Sequence, residues 1–244
     1  MRTIRIHVDA PLSPGIELGL PAQAGEHVTR VLRLDEGAPL VLFHDDGHDY
    51  AAVITQVDKR EVRVRIEGKQ AVANESPLPL TLAQGIARGE KMDLIVQKAT
   101  ELGVACIVPL ITERSEVRLD PARAQKRLVH WQSVAASACE QSGRARLPTI
   151  LPAQPLEGWL AGLAQDGAQR LTLLPEGNRS LQSLAFGPAG GLLVVGPEGG
   201  LGERDMGPLL AAGFTGLRLG PRVLRTETAG LAALAALQAL YGDL

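Results

Sequence analysis

The change of pattern near residue 80 constrains this chain most. From there on, short apolar runs alternate with stretches of helical periodicity: "LTLAQG", "EKMDLIVQKATELG", "ACIVPLI", and later "QRLTLLPEG", "GGLLVVGPEGG" and "GLRLG". Strands that alternate with helices fold as a mostly parallel sheet whose faces are covered by helices. Before residue 70 the period is two. "RTIRIHV", "APLVLFHD", "DYAAVITQVD" and "EVRVRIEG" alternate apolar and polar residues, interrupted by one helical stretch, "GEHVTRVLRL". The 244 residues therefore divide into a small β-barrel over residues 1–70, a polar, Pro-rich linker over 71–79 and an α/β domain over 80–244.

Within the α/β domain the helix signals are local and specific. Met92, Ile95, Val96, Ala99 and Leu102 fall on one face of a helix that stops at Gly103. Asp120-Pro121 supplies an N-cap and a first helical residue, and that helix runs past Trp131 to about Gln141. "PLEGWLAGLAQ" is helical. The last segment, "ETAGLAALAALQALYG", is apolar almost all round, with Thr226 or Thr228 placed to cap it. A helix of that kind is buried on more than one side, which points to its own sheet and to a partner subunit.

Composition excludes several classes. No apolar run reaches the roughly 18 residues of a membrane span, and the N-terminus lacks the apolar core of a secretory signal. A cytoplasmic protein without membrane contact is expected. Cys106 and Cys139 form no CxxC pair and stand beside no metal-spaced histidine, so reduced buried thiols and no metal site are expected. The net charge is −2, against an indiscriminate nucleic-acid binder. Residues 71–150 nevertheless carry a small basic excess, with Arg88, Lys91, Lys98, Arg114, Arg144 and Arg146. Aromatic residues make up only 3%, too few for broad base-stacking platforms.

Three strands near the C-terminus end on turn residues: "LTLLPEG", "LLVVGPEGG" and "LRLGPRVLRTET". Ligands of open α/β sheets bind outside the carboxyl ends of the strands. Leu174–Gly177, Gly196–Gly200 and Leu219–Thr226 should therefore converge on one crevice, with glycines admitting a ligand close to the backbone. Neither GxxxxGK[ST] nor GxGxxG is present, so nucleotide phosphate is a poor match. The crevice holds no histidine and the chain no GxSxG, which argues against a hydrolase. Arg225, at a crevice and at a helix start, reads equally as a solvated charge or as a contact to an anionic partner.

Taken together, "GEHVTRVLRLDEGAPLVLF", "EKMDLIVQKATELGVACIVPLITERS", "ACEQSGRARLP", "LLVVGPEGGLGERD" and "LRLGPRVLRTETAGLAAL" resemble the ribosomal RNA small subunit methyltransferase E (RsmE) family, of the SPOUT class. The resemblance runs from about residue 5 to 241. It implies a PUA-like barrel that holds RNA, followed by a trefoil-knotted SPOUT domain working as a homodimer. It implies S-adenosylmethionine as cofactor and 16S rRNA of the small ribosomal subunit as substrate. The reaction implied is methylation of N3 of a uridine, the one conventionally numbered 1498.

Carried onto this sequence, the cofactor crevice is Leu174, Pro175, Gly196, Gly199, Gly200, Leu219, Gly220 and Leu224. A side chain at Gly199 should fill the space the cofactor approaches. Arg225 would stabilise charge developing on the uracil, and Glu198 or Glu227 would accept its proton. Arg30 and Arg33, three apart on one helical face, with Arg114 and Arg144, become the RNA contacts. His130-Trp131 departs from the Arg-Trp of many members, which removes one basic contact. Two alternatives remain: another SPOUT RNA methyltransferase, acting on a ribose 2′-hydroxyl or on tRNA, and a non-catalytic RNA-binding protein.

Overall fold

The alternating segments of the first seventy residues become strands that bury every second residue. The computed structural model describes residues 4–58, 61–117 and 120–244. Its first strands are β1 (Arg5–His7), β2 (Glu17–Gly19), β3 (Pro39–Phe43), β4 (His48–Val57) and β5 (Val62–Ala71). Tyr50, Ala52 and Ile54 of β4 meet Val62, Val64 and Ile66 of β5 in one core with Ile6 and Leu42, as alternation across a strand requires. The sheet order is β1-β3-β4-β5-β2. The expected barrel is thus a five-stranded sheet around a single core, whose end strands do not pair with each other. Register shifts at Ala51/Ala52 and Ile54/Gln56 are of the kind that bends a strand.

The helical stretch of this unit starts earlier than its sequence implies and ends sooner. It comprises α1 (Ala22–Glu26), continued by a π-helical turn over His27–Val31. Arg33 lies beyond that turn with φ 53, a left-handed conformation that breaks the helix. Arg30 and Arg33 therefore do not share a helical face, contrary to the spacing.

Two compact units result, one of residues up to Glu75 with Cys139–Leu147, the other of Ser76–Ala138 with Pro148–Leu244. The α/β segment is thus interrupted, because "CEQSGRARL" is clasped by the first unit. The Arg5 guanidinium donates to the carbonyls of Cys139 (3.0 Å) and Arg144 (3.1 Å) and pairs with Asp49. Glu140 accepts the His7 N–H at 3.0 Å, and Asp45 accepts the Leu147 N–H at 2.7 Å. Arg144, only 5% exposed, holds Glu75 at 2.6 Å. Cys139 and Ala145 bury against Phe43.

The second unit contains β6 (Leu80–Gly85), α2 (Lys91–Glu101), β7 (Cys106–Ile111), α3 (Pro121–Ser142, whose last turn belongs to the clasp), β8 (Thr149–Ile150) and β9 (Gln154–Pro155). It continues through α4 (Leu156–Ala161), β10 (Gln169–Leu173), β11 (Gly191–Val195), α5 (Glu203–Ala211), β12 (Thr215–Leu217) and α6 (Thr226–Tyr241). All pairings are parallel, in the order β12-β10-β11-β6-β7-β8, with β9 also on β7. Helices α2, α3 and α6 cover one face, placing Met92, Ile95, Trp131 and Leu234 on Leu82, Ile107 and Leu193. Helices α4 and α5 cover the other, with Trp159 and Leu209 against Ala83, Val108 and Val194. Burial on both faces explains the nearly continuous apolar runs of these strands.

Asp120 caps α3 as its position implies, accepting the Arg123 N–H at 2.8 Å. Helix α5 was not legible in the sequence, because Gly207 and Pro208 interrupt its pattern. It is fixed from outside: the buried Asp205 carboxylate accepts the N–H groups of Gly202 (2.8 Å) and Glu113 (3.0 Å). No described helix is long and apolar enough to cross a membrane.

Arg144→Ala leaves Glu75 without its partner. The expected cost is about 3 kcal/mol, read by native-state hydrogen exchange as lost protection in β3–β5 with β10 and β11 unchanged. Burial pushes the Cys106 thiol up to about 11 and the Cys139 thiol up to about 12. Neither should react with a disulfide reagent at pH 8 until denaturant is added.

Candidate active site

A fully parallel sheet aligns all its carboxyl ends, so the connections leaving β10, β11 and β12 meet at one edge. They enclose a cavity of about 560 Å³, well within the range of small-molecule sites. Leu174 and Pro175 enter it from the β10 loop, and Gly196, Glu198 and Gly200 from the β11 loop. Leu219, Gly220, Leu224 and Arg225 enter from the β12 loop, and Glu227 from the first turn of α6. Leu173, Val195, Leu217 and Ala229 complete an apolar wall.

Glycine is required at two points of the β11 loop. A Cβ at Gly196 would stand 2.8 Å from the backbone of Gly200 and Leu201, so the loop folds back on itself only with hydrogen there. Gly200 has φ +70, which any other residue adopts under strain. Gly199 corrects the sequence reading: it does not line the cavity, and a Cβ on it would face Arg114 Cβ at 3.1 Å. Its carbonyl accepts Arg114 Nη1 at 3.0 Å. A side chain at Gly199 therefore presses on Arg114 rather than filling the cavity.

The cap reading of Thr226 is also corrected. Arg225 is the N-cap residue of α6, extended at φ −66 and ψ 155, with no side-chain cap. Thr226 instead donates its hydroxyl to the Gly196 carbonyl at 2.6 Å and accepts from Gln84 Nε2 at 2.9 Å. That bond pins the start of α6 to the β11 loop. It leaves Arg225 exposed at the rim, with no ion pair among the described residues.

The two candidate carboxylates share one cation. Lys91 Nζ lies 3.2 Å from Glu198 Oε1 and 3.5 Å from Glu227 Oε2. Partial burial pushes the Glu198 carboxyl up, but hydrogen bonds from its own N–H and that of Arg88, together with Lys91, outweigh this. They hold it below the usual carboxylate range. Glu227 Oε2 is buried and has no hydrogen-bond partner. A glycine-lined cavity with an apolar wall, in which the buried Glu227 Oε2 is held by the Lys91 ion pair alone, suits a flat apolar ligand bearing positive charge. Lys91 and Gln84 were not singled out as site residues. Their signal was position: Gln84 ends an otherwise apolar strand at its carboxyl edge, and Lys91 opens the helix that follows.

The RNA-contact residues are divided between the two units. Arg114 stands against the Gly199 carbonyl. Arg30, in the other unit, is 75% exposed and 3.4 Å from Glu26. Arg144 is withdrawn from the set, because its guanidinium is buried on Glu75.

Residues 74–238 match the RNA methyltransferase domain family, and residues 20–67 the RNA methyltransferase PUA domain. A Legionella pneumophila methyltransferase solved with bound SAM is 41% identical, with a TM-score of 0.95 and complete coverage of both chains. A ribosomal RNA small subunit methyltransferase E from Neisseria gonorrhoeae, bound to S-adenosyl methionine, is 39% identical over 99% of each chain, with a TM-score of 0.93. The protein of the same name from Mycobacterium bovis is 33% identical over 98% of this chain and 93% of its own. The parallel-sheet unit has the SPOUT methyltransferase fold and the N-terminal unit is PUA-like. With its motifs, its fold and its full-length similarity in agreement, this chain belongs to the ribosomal RNA small subunit methyltransferase E family.

Proposed function

We propose that this protein transfers a methyl group from S-adenosylmethionine to N3 of a uridine in 16S rRNA, the position conventionally numbered 1498. The observation that carries the reading is the cavity at the carboxyl edge of the sheet, with its folded-back glycine loop and its buried Glu227 carboxylate oxygen. Gly196, Gly200, Leu219 and Leu224 would hold the cofactor through backbone groups and an apolar wall. Bound there, S-adenosylmethionine supplies a methyl group already activated on a sulfonium.

The work left to the protein is to orient the uracil and to handle one proton. N3 of uridine is not nucleophilic until its proton is lost. Arg225, unpaired at the rim, would stabilise negative charge spreading onto the uracil oxygens. Glu198 stays ionised under Lys91 and the Arg88 N–H, and is a weak base. Glu227, also beside Lys91, is the second candidate for the N3 proton.

Arg30, Arg33 and Arg114 remain the proposed RNA contacts, the first two on the PUA-like unit, which would hold RNA. A homodimer is proposed through α2 and α6, whose outer faces leave Leu94 43% and Leu240 51% exposed. The cytoplasm, where ribosomal subunits are assembled, is the proposed location.

Titration calorimetry with S-adenosylmethionine tests the cavity. Gly196→Ala should weaken binding by roughly tenfold or more, equivalent to ~1.4 kcal/mol, because its Cβ collides with the loop backbone. Methylation of isolated small subunits, read by reverse-transcriptase arrest at N3-methyluridine, tests the reaction. Arg225→Ala should lower kcat by about 10²–10³ and leave cofactor affinity within about twofold. Product on a ribose 2′-hydroxyl or on tRNA would replace this reading with another RNA methyltransferase. Absence of cofactor binding would leave an RNA-binding protein.

A further inference from the structure

We propose that a groove beside the cofactor cavity, framed by Arg179 and Arg218, is a track for the phosphodiester backbone of RNA flanking the target nucleotide. The proposal rests on the methyltransferase reading above and adds where the RNA strand lies.

The groove is built by backbone pairing. The chain leaving β10 runs beside β12: Arg179 N–H donates to the Gly216 carbonyl, and Arg218 N–H to the Arg179 carbonyl, each at 3.0 Å. Gly177 and Gly216 permit this approach, since a Cβ at Gly177 would stand 2.7 Å from the Gly216 carbonyl. Two arginines are thereby held on adjacent backbones. Between them lies a second cavity of about 280 Å³, which shares Arg218, Leu219 and Gly220 with the cofactor cavity. The two spaces adjoin along these residues.

The charge pattern points to an anion. Residues 151–244 contain six arginines, and four of them, Arg179, Arg218, Arg222 and Arg225, line these two cavities. All four are exposed, and none makes an ion pair among the described residues. Several exposed arginines elsewhere do, Arg30 with Glu26, Arg65 with Glu67, Arg88 with Glu116 and Arg123 with Asp120; what distinguishes the four is that they cluster along two adjoining cavities. Glu176, in the same loop, pairs with neither groove arginine. Clustered like charges repel unless an anion sits among them.

The chemistry selects a phosphodiester. The guanidinium fork matches phosphate oxygens in two parallel hydrogen bonds. Asn178, Ser180 and Gln182, which complete the groove, are neutral donors and acceptors suited to ribose and phosphate. No aromatic side chain lines the groove, so it offers no base stacking. It would grip the strand without reading its sequence, while the target base turns into the cofactor cavity.

The test measures affinity of the full chain for unmethylated small-subunit rRNA as a function of salt, alongside calorimetry with S-adenosylmethionine. Variants are Arg179→Ala, Arg218→Ala, the double alanine variant and the double Arg→Lys variant. Each alanine should reduce the slope of log K against log salt by about 0.7 on single-stranded RNA, or about 0.9 if the contacted segment is duplex. The lysine variant should restore most of the slope, and cofactor affinity of Arg179→Ala, which lies outside the cofactor cavity, should stay within about twofold of wild type, the control for folding. An unchanged slope in the double alanine variant, with wild type binding normally, overturns the groove and leaves the methyltransferase reading intact. Cofactor affinity lost with the arginines overturns it too, assigning them to the cofactor carboxylate. A wild-type chain that neither binds nor methylates this RNA overturns the methyltransferase reading itself.

Discussion

The site depends on one buried hydroxyl. Thr226 Oγ1 donates to the Gly196 carbonyl at 2.6 Å and accepts from Gln84 Nε2 at 2.9 Å. Gln84 also donates to the Gly85 carbonyl at 2.9 Å. These contacts join the carboxyl ends of β6 and β11 to the first turn of α6, three elements far apart in the chain. Removing the hydroxyl would take away both bonds that tie α6 to these strand ends, which is why such a hub fixes one arrangement. Its chemical consequence lies one residue to either side. Arg225 and Glu227 flank the pinned threonine, and both line the cavity. The segment that locks α6 onto the sheet is the segment that presents the charged groups.

Charge is distributed with the same economy. A protein of net charge −2 holds an anionic substrate only by local concentration of positive charge. Around the cavity, Lys91 engages both carboxylates, while the arginines of the β10 and β12 loops are left free. Elsewhere, several exposed arginines are neutralised by neighbours two to four positions away, as Arg30, Arg65 and Arg123 are. The unpaired arginines of the second unit gather mainly at the edge where the strands end.

The EQSGR segment shows how far sequence similarity between positions can mislead about role. Arg114 and Arg144 look alike in the sequence, as arginines within a locally basic stretch. Arg114 lies on the Gly199 carbonyl beside the site. Arg144 is buried on Glu75, within a clasp that also uses Arg5, Asp49 and Asp45. Solvent exposure separates them, and exposure depends on residues some seventy or more positions distant.

The sequence by itself determined what is local. Period-two alternation set the strands of the first unit. Apolar runs between helical segments set a parallel sheet, Asp120 set the start of α3, and glycines after the strands marked the edge where a ligand sits. These follow from backbone geometry and solvation of neighbouring residues. Only the tertiary structure decided the rest. It ended the first helix before Arg33, fixed α5 through Asp205 despite Gly207 and Pro208, turned Gly199 toward Arg114, and made Thr226 a tether instead of a cap. It also set Arg179 beside Arg218 by pairing two loops that end different strands. Each of these outcomes depends on which distant group faces a residue, and such contacts form only when the chain is folded.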